Sequence, residues 1–169
     1  MAINNIIFWI LAVGAIISAL LMVTRKSAVP SALMLIVTFC FLAALYLTLN
    51  AQFLAVVQVA VYAGAIMVLV VFVIMLLNLR GEVYAITGNW KTAVGLLAVT
   101  GILAQMIAVF VMANDILPKG LHSKSTELGT VESIGTKLYT SYAFPFEMAS
   151  IILIAAAVGA IVLAKKKLT

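Results

Sequence analysis

Apolar residues run along this chain in blocks and not in alternation. Five stretches are long and nearly free of charge: Ile3–Val23, Val29–Leu49, Phe53–Leu79, Ala93–Ala113 and Phe146–Ala164. A bilayer core of about 30 Å needs roughly 20 apolar residues per helix, and each stretch meets that length. The residue-by-residue switching of a barrel strand is not seen, because the apolar runs are continuous. The pattern predicts an all-α integral membrane protein, a bundle of five transmembrane helices forming one membrane domain over residues 1–169. Little more than Asn50-Ala51-Gln52 separates helices two and three, which makes them antiparallel neighbours. Pro30 suits the first turn of helix two, where its missing N–H costs nothing. The connection GEVYAITGNW, Gly81–Trp90, carries two glycines and can be mobile. Residues 114–144 form a long loop in which Val131, Ile134, Leu138 and Tyr142 recur at helical spacing, with Glu132 and Lys137 off that stripe. A short amphipathic helix lying on the outer surface is expected there.

Composition agrees. The chain is 66% hydrophobic and 9% charged, with a mean hydropathy of +1.30, and a soluble domain of 169 residues cannot hide that much apolar surface. Charge adds an orientation. Arg25, Lys26, Arg80, Lys91, Lys165, Lys166 and Lys167 all fall on one side of the predicted topology. The other side has only Lys119, Lys124 and Lys137, accompanied by Asp115, Glu127 and Glu132. By the positive-inside rule the N-terminus is outside and the C-terminus cytoplasmic. The net charge of +5 is thus a topology and lipid-headgroup signal. No basic surface with interleaved aromatics exists, so nucleic acid is not a partner. No Lys or Arg precedes the first segment, so it is read as a retained helix and not a removable signal peptide. Cys40 lies alone inside helix two and is expected to be a small core residue.

Candidate chemistry is sparse. There is no CxxC, His cluster, Gly-rich phosphate loop or Ser/His/Asp set. His122 is a solitary loop residue and not a ligand. Glu147, after Pro145-Phe146, is the one carboxylate in an apolar segment. Either it complements the free N–H groups of the first turn, which is the preferred reading, or it is an intramembrane acid meeting protons or water. Gly14 with Ser18, and Ala155 with Gly159, are helix-packing pairs, and Gln105 is expected to make an interhelical hydrogen bond.

Helix three is the unusual one. Counting from Phe53, Tyr62 lies about 14 Å into the membrane at 1.5 Å per residue, too deep for an interfacial anchor. Its hydroxyl needs a partner in the bundle or a buried water. Ala60 and Gly64 form a small-xxx-small pair that admits another helix. The run Tyr62-Ala63-Gly64-Ala65 also weakens the backbone, and a π-bulge could form there. Packing alone and a switchable turn both remain open on these residues.

The stretch VVQVAVYAGAIMVLVVFVIMLLNL, followed later by SYAFPFEMASIILIAAAVGAIVLAKK, resembles subunit J of NADH-quinone oxidoreductase, bacterial respiratory complex I, whose mitochondrial counterpart is chain 6. Val70 departs from the family pattern, which often has Phe there. The resemblance implies a multi-pass subunit of the bacterial inner membrane. It would hold no cofactor, with NADH, FMN, iron–sulfur clusters and quinone bound in other subunits of a proton pump. It would sit beside subunits A, H, K and N. It further implies a π-bulge at Tyr62–Ala65 whose rotation links the quinone site to proton translocation. Gln58, Tyr62, Ala63, Gly64 and Ala65 would then form the gating segment, with Met67 and Val68 an apolar plug. The alternatives are a subunit of a multi-subunit cation/proton antiporter and a structural packing protein.

Overall fold

A computed structural model describes residues 2–77, 89–116 and 128–165. Within them lie α1 (Ala2–Thr24), α2 (Ala28–Thr48), α3 (Gln52–Leu76, interrupted as described below), α4 (Asn89–Ile116), α5 (Val131–Tyr139) and α6 (Ala143–Ala164). Five of these, all but α5, contain spans long and apolar enough to cross a membrane. The expected spans are all present, so α6 is the fifth. The connection at Gly81 to Gly88, most of the charged loop with Lys119, His122, Lys124 and Glu127, and the basic residues Arg80, Lys166 and Lys167 lie outside the described residues.

Among the described residues the spans do not close into one bundle. Helix α2 is the middle of a row, packed against α1 on one side and along the whole of α3 on the other. Among the described residues α4 touches no other element, and α6 touches only α5. The reason is visible in what is buried. Ala15, Ser18, Ala32, Ala43, Ala55, Gln58 and Met67 are the buried residues, most of them small. In lipid, close approach over small side chains is what holds helices together, since apolar surface alone gives no preference for a neighbour. Helices α1 and α2 meet in this way. An added Cβ at Gly14 would stand 2.7 Å from the Phe41 ring. Ser18 is buried, donates to the Ala15 carbonyl at 3.0 Å and accepts from the Thr38 hydroxyl at 2.9 Å. Near the other end the Ser31 hydroxyl donates to the Met22 carbonyl. By contrast an added Cβ at Gly95, Gly101 or Gly159 would meet nothing within 4 Å. The Ala155/Gly159 pair therefore has no partner helix among the described residues.

Several expectations need correction. Cys40 is exposed and not in the core, because the faces of α2 that meet α1 and α3 are occupied by others. Helix α6 begins at Ala143, three residues before the predicted start. Pro145 is compatible with that, since a first-turn N–H has no partner to lose. Glu147 thereby becomes the fifth helical residue. It lies beyond the first turn and does not cap it. Gln105 is exposed and makes no hydrogen bond among the described residues. The α2–α3 turn closes through Asn50, whose φ of 58° is left-handed, a conformation Asn tolerates better than most residues. In α5, Ile134 and Leu138 are half-buried, whereas Val131, Glu132 and Lys137 are exposed; Tyr142, which precedes α6, is exposed too.

Candidate functional site

Helix α3 changes its winding part-way along. It starts as an α-helix at Gln52–Val57, becomes a π-helix over Gln58–Ile66, and resumes as an α-helix at Met67–Leu76. π turns are rare and usually single, so a nine-residue π segment inside a 25-residue span is a strong local departure. The sequence supports it. Val57, Val59 and Val61 are stiff β-branched residues crowded in an α turn, and Gly64 offers no side chain to hold one register.

The two boundaries differ. At the entry, the Gln58 N–H donates to the Leu54 and Ala55 carbonyls, four and three residues back. At the exit, the Met67 N–H is shared between the carbonyls of Tyr62 and Gly64, five and three residues back. The four-back bond of an α-helix is the one it does not make. One N–H thus bridges two alternative windings. Gly64 sits inside this turn: a Cβ there would lie 3.2 Å from the Val59 carbonyl oxygen, five residues earlier, and would meet no described atom of another helix within 4 Å. The tight neighbour is α3 itself. Among the described residues no other helix makes the close approach expected at Ala60/Gly64, and Ala60 is exposed.

Side chains in the segment point in distinct directions. Gln58 is buried, whereas Tyr62 is 45% exposed and sets its ring edge-on against Phe39 of α2, with centroids 5.8 Å apart. The Tyr62 hydroxyl makes no hydrogen bond among the described residues. Ala63 and Gly64 are half-buried and Ala65 is exposed. Met67 is the most buried large side chain, 2% exposed, and its neighbour Val68 is 64% exposed. Met67 packs on the α2 side of α3, and Val68 faces away from it. Glu147 is on α6, which has no contact with α3, and has no partner among the described residues. Sequence reasoning overlooked Phe39, which has no periodic signal of its own. It also overlooked Gly129, although a Gly before the capping Thr130 marks a close backbone approach.

Residues 18–163 match the family described as NADH-ubiquinone/plastoquinone oxidoreductase chain 6. The chain belongs to that family. Chain 6 relatives align over nearly its whole length. The NAD(P)H-quinone oxidoreductase chain 6 of Leptolyngbya boryana is 38% identical over 95% of this chain and 79% of its own. The chloroplastic subunit 6 of Physcomitrium patens is 36% identical, covering 97% and 85%. The NADH-ubiquinone oxidoreductase chain 6 of Marchantia polymorpha is 33% identical, covering 97% and 88%. As a chain 6 family member with five apolar spans, the protein is a multi-pass membrane subunit of an NADH:quinone oxidoreductase complex.

Proposed function

We propose that this subunit couples quinone reduction to proton translocation by a change of winding in α3. The observation that carries the reading is the shared Met67 N–H at the end of the π segment. A backbone donor already divided between two carbonyls loses little when it settles on one winding or another. Gly64 adds no Cβ to penalise the change, and the half-exposed Tyr62 can move with it. In this reading Gln58, Tyr62, Ala63, Gly64 and Ala65 are the moving segment. Met67 is the seal that must leave or re-enter its pocket against α2. The chain itself holds no cofactor; NADH, FMN, iron–sulfur clusters and quinone are bound by other subunits. Its neighbours are subunits A, H, K and N in a bacterial cytoplasmic membrane, with the N-terminus outside, and they cover α4, α6 and the exposed face of α3. The descriptions of the relatives favour this over the antiporter reading.

Gly64→Ala tests it. The added methyl presses on the Val59 carbonyl at 3.2 Å, while Ala favours a regular helix over Gly by about 0.8–1.0 kcal/mol, a figure from soluble helices that indicates direction in lipid. Assembly should be normal and NADH:quinone turnover reduced, with proton translocation falling in step. Full turnover in well-assembled Gly64→Ala complexes would leave α3 as a packing helix only.

A further inference from the structure

Gly129 lies against a turn far away in sequence. An added Cβ at Gly129 would stand 2.0 Å from the Asn50 carbonyl oxygen, 2.9 Å from its carbon and 3.2 Å from Ala51 Cα. All three atoms are backbone, so nothing flexible can give way, and only a residue without Cβ comes this near. The Gly129 carbonyl then accepts the Phe53 N–H at 3.2 Å. Phe53 is in the first turn of α3, where N–H groups have no acceptor of their own. Thr130 follows as the N-cap of α5, its hydroxyl accepting from the Ser133 N–H at 3.2 Å. At the far end of α5, Tyr139 packs edge-on against Phe146 of α6, centroids 5.2 Å apart. One continuous piece of chain thus ties the start of α3 to α6.

We infer that Leu128–Thr130 is a latch that fixes the N-terminal end of α3, with Gly129 as its positioning residue. The inference rests on the proposed change of winding in one respect. With that end held, a change of winding must be carried by Met67–Leu76. A helix advances about 100° per residue, so gaining or losing one residue of register turns that part by roughly that angle. Released, the start of α3 would absorb part of the turn and Met67 would move less.

The test uses the assembled complex in its membrane. Gly129→Ala must push the strap off the Asn50–Ala51 turn. Hydrogen–deuterium exchange over the peptide containing Phe53 reads the latch directly. Exchange there should rise about tenfold, since local opening and not global unfolding controls it. Protons translocated per NADH oxidised should fall. Unchanged protection at Phe53 overturns the latch; faster exchange with an undiminished proton yield overturns its role in coupling. Should Gly129→Ala prevent assembly, Thr130→Ala loosens the strap by removing the α5 cap without adding a Cβ beside Asn50. The same two changes are expected, smaller in size, and their absence is equally decisive. Gly64→Ala keeps the two ideas apart. If it turns over fully, the change of winding fails, while the exchange at Phe53 still reports on the latch.

Discussion

The α1–α2 seam and the middle of α3 draw on the same kinds of residue to opposite ends. Both combine small and polar side chains in an apolar span. In the seam they serve the neighbour: Gly14 receives the Phe41 ring, and Ser18, while donating to Ala15 of its own helix, accepts from Thr38 across the seam. In α3 they are spent on the helix's own backbone. Gly64 is crowded only by Val59, and the Met67 N–H is divided between Tyr62 and Gly64. The seam has one geometry that satisfies everything. The proposed change of winding supposes a second geometry of the π segment that satisfies almost as much, which is the condition for a bistable element. Small residues in a membrane helix thus carry no fixed meaning until their nearest neighbour is known.

Gly64→Val should give the largest effect and break the comparison from the α3 side. Its branched side chain presses on Val59 and its stiff χ1 resists rewinding. Turnover per assembled complex should drop about tenfold, equivalent to about 1.4 kcal/mol on the barrier, measured as NADH:quinone activity normalised to subunit content. If the content falls while the turnover stays normal, α3 resembles the seam after all.

Gly14→Ala attacks the seam. The methyl would meet the Phe41 ring at 2.7 Å, and overpacking of this kind costs about 1–3 kcal/mol. The amount of assembled complex should fall with turnover per complex unchanged, and the second change Phe41→Leu should restore the amount. A turnover defect that survives this rescue would mean the seam also moves during the cycle.

The smallest effect is expected from Ser18→Ala. It deletes the hydroxyl between Ala15 and Thr38, and hydrogen bonds between membrane helices average about 0.6 kcal/mol. Thermal stability of the complex should drop slightly, with activity untouched. A loss as large as that of Gly14→Ala would show the polar contact, and not close packing, to be the main tie.

Sequence made the spans legible because apolar length is a property of each segment by itself. The weak Tyr62–Ala65 turn was legible for a similar reason: small and conformationally permissive residues identify themselves. The extent of the π segment was not, since Gln58 and Ile66 carry no composition signal and its ends are set by which carbonyls share an N–H. Interfaces were harder still. Gly14 and Gly159 look alike in sequence, yet one lies under a ring and the other is open. Glu147 was misplaced because Pro145 suggested a helix start that lies at Ala143. Met67 and Val68 were adjacent letters whose faces only a register can separate.

Among themselves, α1, α2 and α3 each touch only the neighbour in sequence, a pattern with a consequence for biosynthesis. Contacts between successive hairpin partners need no long loop to close, so they form early and fast. The row α1–α2–α3 can be complete while α4 is still in the translocation machinery. Helix α4, with no contact to wait for among the described residues, then enters the bilayer bare on every side. Until another chain arrives it is the part a membrane protease would meet first. Newly made, unassembled chains should therefore lose α4 to membrane proteolysis before they lose the first three helices.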